Sequence, residues 1–400
     1  MPHEQPRQPL RVAMIGYAFM GAAHSQAWRT AGRVFDLPVA TEMRLLCGRD
    51  AEAAEAAAAR LGWAESCTDW REAVARDDID VIDICTPGDT HPEIAIAALR
   101  AGKHVLCEKP LANTVADAEQ MAAAAREAAG RGVRSMVGFN YRRVPALAYA
   151  RDLVDEGLVG DVRHIRAQYL QDWIVDPEFP LVWRLQQDKA GSGALGDIGA
   201  HVIDLARFVT GHRLVGVAAT MQTFVPRRPL PGASAGLAAT GAVGAELGDV
   251  TVDDAAAFVG RTDGGAMAVV EATRFATGRK NAMRLEVNGS RGSLAFDFEA
   301  MNELHVYDGT VPAAGAGFRR ILVTEPEHPY LEAWWPPGHG LGYEHTFVHE
   351  IADFVRDVGT GRDPSPSFAD GLAVQRVLQA VEHSAADDSR WTAVEQGEEK

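Results

Sequence analysis

Apolar residues in the first third of the chain fall in short, nearly unbroken runs: RVAMIG (11–16), RLLCG (44–48), VIDIC (81–85), HVLC (104–107) and RSMVGF (134–139). Between them lie stretches with helical spacing at 20–31, 51–60, 91–101 and 114–129. A short run with no polar alternation marks a strand buried on both faces, and strands separated by single helices mark βαβ units in a parallel sheet. Right-handed crossovers then make the sheet doubly wound. The fold class is α/β, with a Rossmann-type domain over residues 1–140.

After Tyr141 the pattern changes. A helix at 145–156 leads into VRHIRAQYLQDW (162–173), and a glycine-rich entry, AGSGALGD, opens a helix at 197–209. Then come VGVAATMQTFV (215–225), AAAFVGRT (255–262), AMAVVEATRFA (266–276), NAMRLEVNG (281–289) and GSLAFDF (292–298), which alternate and are separated by turn signals such as Asp263-Gly264-Gly265. These predict a large, open, mostly antiparallel sheet in a C-terminal α+β domain, residues 141–400. Helices at 343–358 and 368–386 finish the chain, in position to pack back on the first domain. Residues 226–250, rich in Gly, Ala and Pro, read as a surface excursion or lid, with Arg227-Arg228 solvated in it.

Composition narrows the function. The 400 residues are too many for one ordinary core, so two domains are expected. A formal net charge of −16 with no dense basic stripe argues against nucleic acid or an anionic membrane surface as partner. No apolar run approaches a bilayer span, and the polar, proline-broken start reads as a frayed tail and not a signal peptide. Cys47, Cys67, Cys85 and Cys107 show no zinc-site spacing and read as small buried thiols in a reducing cytoplasm.

The first strand runs into GYAFMG (16–21), a G-x-G-x-x-G turn with Ala18 in place of the second glycine. Such a turn brings backbone against a dinucleotide pyrophosphate at a helix N-terminus, so Gly16, Ala18, Phe19, Met20 and Gly21 are candidate cofactor contacts. The second strand ends Cys47-Gly48-Arg49-Asp50, without a carboxylate at the usual ribose position. Arg49 suits a 2′-phosphate and Asp50 a ribose, so the cofactor is NAD or NADP. Other strand ends supply Thr86, Pro87 and His91, then Glu108, Lys109 and Pro110, then Asn140, Tyr141 and Arg142. An ammonium at such a crevice can polarise a substrate hydroxyl. Asp197 and His201, four apart, share one helical face, with Ile198, Val202, Leu205 and Phe208 opposite. Each has a plain alternative, Asp197 as a dipole-matching charge in a first helical turn and His201 as a core histidine. A metal lacks a third ligand at a telling spacing.

Taken together, the glycine-rich turn, CEKP (107–110), GFNYR (138–142) and GDIGAHVID (196–204) resemble the Gfo/Idh/MocA family, over nearly the whole chain. NYRRVPA, YLQDW and GSGALGDIGAHVID look most like its bacterial sugar dehydrogenases. The resemblance implies an NAD(P)-dependent dehydrogenase acting on the CH–OH of a sugar, anhydrosugar or inositol, with the Lys-Pro bond cis. It assigns His201 as general base, Asp197 as its orienting partner and Lys109 as the group that polarises the hydroxyl. Asn140 joins the cofactor set, and Tyr141, Arg142, Gln171, Asp172, Trp183 and Arg184 are candidate substrate contacts, with salt bridges and sheet packing as their plain alternatives. A glycosidase or lyase with transient NAD redox, and a non-catalytic nucleotide sensor, are the competing readings. The open sheet face predicts a homodimer or homotetramer.

Overall fold

The computed structural model describes residues 8–231 and 246–397. Most of the start read as a frayed tail, and 232–245 of the predicted excursion, lie outside the described residues. Two compact units emerge. The first takes the described residues up to Ala112, Ala116–Asn140 and Gly342–Leu372; the second takes Asn113–Val115, Tyr141–Leu341 and the described residues from Ala373.

In the first unit, β1 (Leu10–Ile15), α1 (Phe19–Val34), β2 (Thr41–Cys47), α2 (Ala51–Leu61), β3 (Glu65–Cys67), α3 (Trp70–Ala75), β4 (Val81–Ile84), α4 (His91–Arg100), β5 (His104–Glu108), α5 (Val115–Ala129) and β6 (Ser135–Gly138) follow one another. The strands form a six-stranded sheet, β3-β2-β1-β4-β5-β6, parallel throughout. Central β4 is buried at every position, as a strand covered on both faces must be. The periodicity passes over β3 and α3: three residues reading Glu-Ser-Cys carry no hydrophobic signal, and β3 forms because β2 offers it an edge. Asp50 and Asp69 accept backbone N–H groups at the starts of α2 and α3, as N-caps do.

The second unit contains α6 (Pro145–Asp155), β7 (Val162–Leu170), a short α7 (Gln187–Ala190), α8 (Ala200–Thr210), β8 (Leu214–Gln222), β9 (Arg227–Pro229), β10 (Leu247–Asp249), β11 (Ala255–Thr262), β12 (Met267–Thr273), β13 (Ala282–Gly289), β14 (Gly292–Asp297), β15 (Glu303–Asp308) and β16 (Arg319–Leu322). Near the end come α9 (Tyr343–Thr360, first unit), α10 (Phe368–Ala386) and β17 (Thr392–Ala393). Nine strands make one sheet, β16-β15-β14-β13-β7-β12-β11-β8-β17, in which β7 and β12 run parallel and the other pairs antiparallel. Alternation along each strand divides its faces. Ile165, Ala167, Tyr169, Val270, Ala272, Leu285, Val287, Leu294 and Phe296 are buried, on the face that α8 packs against. The opposite face carries Arg166, Gln168, Glu271, Arg284, Glu286 and Asp297 with exposed Val259, Met267 and Val269.

Two expectations are corrected here. Residues 227–229 and 247–249 pair as an antiparallel ribbon. Arg228, expected to be solvated, is fully buried; it donates to the carbonyls of Ile174 (2.6 Å) and Asp176 (2.7 Å), where a planar fork can serve main-chain oxygens that water does not reach. Arg227 is exposed and pairs with Asp249. All four cysteines are free thiols, with Cys67 half-buried and the others buried.

Candidate active site

The turn after β1 fits a pyrophosphate. Gly16 has φ +98°, and a Cβ there would lie 2.8 Å from the Cys85 carbonyl oxygen; a Cβ on Gly21 would lie 2.2 Å from the Gly16 carbonyl oxygen. Both positions therefore need glycine, one for its backbone and one so that α1 can seat on the turn. The first turn of α1 has no side-chain cap and no acidic residue, and Ala18 and Phe19 are exposed beside it. Unpaired N–H groups with no competing carboxylate are what a phosphate requires. The acid missing at Gly48 also has a cause: a Cβ there would lie 2.0 Å from the Tyr17 ring. Arg49 is exposed, and Asp50 is engaged as the cap of α2.

The other strand tips behave differently from one another. Thr86 and Pro87 are half-buried at the end of β4. His91 is buried, with its ring nitrogens 2.9 Å from the Thr86 carbonyl oxygen and 3.1 Å from that of Pro110, so it braces two loops; burial lowers its pKa. The Lys109–Pro110 bond is cis. Lys109 is half-buried, whereas Glu108, expected at the crevice, turns its carboxylate into the interior toward His24. Asn140 is buried and donates to Thr346 at 2.8 Å.

In the second unit Asp197 lies in a π-helical turn, Leu195–Gly199, that precedes α8. The expectation of one continuous α-helix is thus corrected. The turn is held from outside: Asp253 accepts the backbone N–H groups of Gly193 (2.6 Å) and Leu195 (2.8 Å), and fully buried Arg274 donates to the Gly193 carbonyl oxygen (3.0 Å) and to Asp197 (2.8 Å). Its side chain 28% exposed, Asp197 is anchored at one oxygen and still open to solvent, and its charge is met by a guanidinium. A π turn inserted in a helix is a feature concentrated at functional sites.

His201 is buried against aromatic rings, edge-on to Tyr141 (centroids 4.7 Å apart) and near Tyr169 (6.0 Å). The Tyr141 and Tyr169 hydroxyls meet at 2.5 Å, and Asn281 accepts from Tyr169 (2.7 Å) and from Gln171 (2.9 Å). The second unit thus gathers Asp197, His201, Tyr141 and Gln171 near one side of α8. It does not gather the rest. Arg142 is committed to a buried ion pair with Asp204, its Nε 2.7 Å from the carboxylate. Asp172 pairs with Lys280 at 2.8 Å, which with the Gly278 N–H holds its carboxyl below the usual range. Arg184 lies over the Trp183 ring. Lys109 belongs to the other unit.

Sequence reading overlooked Arg274, Asp253, Tyr169 and Asn281. A signal existed for the first: positions 268, 270 and 272 of β12 point inward, and the same parity carries on to Arg274. An arginine on the buried side of a strand needs a carboxylate or carbonyl partner.

Residues 10–139 match the GFO/IDH/MocA oxidoreductase family model described as an NAD-binding Rossmann fold, and residues 147–295 match the GFO/IDH/MocA C-terminal domain. The chain is 43% identical to levoglucosan dehydrogenase of Pseudarthrobacter phenanthrenivorans over 97% of this chain and 99% of that protein. Inositol 2-dehydrogenase of Rhizobium meliloti is 28% identical over 94% of this chain and 97% of its own length. Among solved structures, an oxidoreductase domain protein from Kribbella flavida superposes with TM-score 0.93 and 62% identity, covering 97% of this chain and all of that one. Levoglucosan dehydrogenase in complex with NADH superposes with TM-score 0.91 and 42% identity, covering 98% and 100%. With its pyrophosphate-fitting turn, its Lys109–Pro110 exit and its Asp197/His201 segment, the chain belongs to the Gfo/Idh/MocA oxidoreductases and is an NAD-dependent dehydrogenase of the sugar and polyol group.

Proposed function

We propose that this enzyme oxidises one secondary hydroxyl of a cyclic anhydrosugar of the levoglucosan kind, with NAD as its cofactor. The observation that carries the catalytic reading is the Arg274-anchored Asp197 in a π turn leading to His201. It presents a fixed, partly open carboxylate and an imidazole on one short segment. The 43% identity to levoglucosan dehydrogenase across both domains supports the substrate class, and NADH in that relative's structure supports the cofactor.

When bound, the nicotinamide supplies the hydride acceptor. His201 takes the hydroxyl proton, and Asp197, paired with Arg274, stabilises the positive charge the imidazole gains. By the family resemblance, the role of Lys109 is to polarise the substrate hydroxyl, which lowers the cost of removing its proton. The aromatic wall of Tyr141 and Tyr169 restricts the ring of His201 and excludes water from it.

Lys109→Ala is the discriminating variant. It should retain cofactor binding, measured by NADH fluorescence, and lose kcat by about 10²–10⁴-fold, the range of a lost acid–base group; full activity would refute the assignment. Assays with levoglucosan, inositols and aldoses against NAD and NADP read substrate and cofactor together. Bound cofactor with no net reduction would replace the dehydrogenase with a transient-redox hydrolase or lyase.

Two further expectations belong to this reading. The open sheet face, mixed in charge around Val259, Met267 and Val269, suits a second copy of the chain because both signs of charge are present on it. Sedimentation of a monomer at micromolar concentration would refute that dimer or tetramer. Free thiols and a diffusible redox cofactor support a cytoplasmic location; among the described residues, no helix is long and apolar enough to cross a membrane.

A further inference from the structure

Inside the first unit, away from the phosphate turn, lies a group of polar side chains that no step above uses. His24 on α1 is fully buried, and both its ring nitrogens face carboxylates. Nδ1 is 3.0 Å from an oxygen of Asp83 on β4, and Nε2 is 3.0 Å from Oε1 of Glu108 on β5. Trp28 donates its indole N–H to Asp83 at 2.7 Å. The second oxygen of Glu108 accepts the backbone N–H of Lys109 at 3.1 Å. A row of hydrogen bonds therefore runs from the core of the Rossmann unit to the peptide that carries Lys109.

We propose that His24, Asp83 and Glu108 form a buried positioning relay that fixes the Lys109 peptide and so sets where the lysine presents its ammonium. The inference rests on the catalytic reading of Lys109 given above. Carboxylates only accept, so a ring with one on each side must donate from both nitrogens, or share a proton with one of them. Either way the three side chains hold one negative charge. Burial, the largest single influence, disfavours a charged ring, but Asp83 and Cys85 together outweigh it and raise the pKa of His24 well above its ordinary value. The groups facing His24 are Asp83 and Cys85 at the end of β4, Cys107 and Glu108 on β5, Trp28 on its own helix, and the Phe347 ring of α9. His91 also acts on Glu108. Glu108 has no slack: a Cβ at Gly138 would already lie 3.0 Å from its Oε1.

His24, Asp83 and Cys85 also lie close enough to hold a metal ion. The indole N–H on Asp83 and the second carboxylate on Nε2 fit a hydrogen-bonded anion better, because a metal would compete with the ring nitrogen that Asp83 already occupies.

The test compares Glu108→Ala with Glu108→Gln and reads His24 directly. In ¹⁵N-histidine NMR, with the resonance assigned by its loss in His24→Gln, wild-type His24 should be doubly protonated at pH 7. In Glu108→Gln the new amide can donate to Nε2 while its oxygen still accepts from Lys109, so the His24 pKa should fall relative to wild type, with Asp83 still favouring the charged ring. Glu108→Ala should lose kcat by about 10–100-fold, as expected for an ångström-scale misplacement, with sugar KM and NADH Kd within about threefold. Glu108→Gln should recover at least about tenfold of that loss. A neutral wild-type His24 at pH 7, a glutamine variant no better than alanine, or losses confined to KM, Kd or melting temperature each overturn the proposal. Zinc uptake abolished by Asp83→Asn overturns it as well. If Lys109→Ala is inactive while Glu108→Ala is fully active, this inference fails and the catalytic reading stands; full activity of Lys109→Ala is the failure of that reading itself. The NMR arm needs neither a substrate nor a folded alanine variant.

Discussion

Replacing Arg274 with methionine isolates what holds the π turn. The guanidinium is completely buried and serves three acceptors: Asp197 (2.8 Å), the Gly193 carbonyl (3.0 Å) and, weakly, that of Arg184 (3.4 Å). Burial also raises the pKa of Asp253, and the Leu195 N–H and Arg274 pull it back down. Methionine fills most of the volume but leaves a buried carbonyl unpaired, at about 1 kcal/mol. It also removes a charge that eases the burial of Asp253, which keeps its Gly193 and Leu195 N–H partners, at about 1–2 kcal/mol. Asp197 adds little, because water reaches it. The expected loss is about 2–3 kcal/mol, or about 4–12 °C in melting temperature for a unit of this size. The sign with pH follows. Without Arg274, Asp253 binds its proton more tightly in the fold than in the unfolded chain. Burial already raises Asp253 with Arg274 present, so the two proteins part only above the ordinary carboxylate range, and the deficit grows as pH rises beyond it. In steady-state kinetics kcat should fall about 10–100-fold, because Asp197 loses its anchor, while NADH Kd stays put. Arg274→Lys keeps the charge but not the fork and should fall between. A methionine variant that melts within 2 °C of wild type (less than ~1 kcal/mol) and turns over normally would refute the reasoning.

Two other perturbations test separate parts of the second unit. Arg142→Met should cost about 3–5 kcal/mol by leaving the buried Asp204 carboxylate short of its cation, and adding Asp204→Leu should recover most of it; denaturation of the single and double variants closes the cycle, and simple additivity would count against a buried pair. Glu382 on α10 is pushed up to about 7 by burial and by nearby Asp253. The fold thus prefers its protonated form, and the stability it contributes is complete below about pH 4.5 and lost as pH rises through 7. Discounted for partial exposure, Glu382→Gln should flatten the pH 5 to 8 stability difference by about 1–2 kcal/mol in chemical denaturation; an unchanged slope would remove Glu382 from the account.

Much of this protein could be read from one dimension because the signals are local. Short apolar runs separated by helical spacing require a doubly covered parallel sheet, and alternation after residue 160 requires a sheet with one dry face. Gly16 and Gly21 announce the phosphate turn by their short spacing, and the constraint on Gly21 is itself local, the Gly16 carbonyl five residues before it. Lys109 stands out by its strand-end position and Asp197 and His201 by their spacing, but their proposed catalytic roles come from the family pattern, since no spacing rule makes a lone lysine catalytic. What the tertiary structure decided depends on partners distant along the chain. Arg142 looked like a substrate contact until Asp204, 62 residues on, took its guanidinium. Gly48 looked like a missing acid until the Tyr17 ring proved to occupy the space. Asp197 gains its anchor from Arg274, 77 residues away, and Glu108 turns inward because His24, 84 residues before it, waits in the core. Local pattern specifies which face of an element is dry. Only packing specifies which charge meets which, because burying a charge is tolerable only beside a partner, and the chain fold chooses that partner.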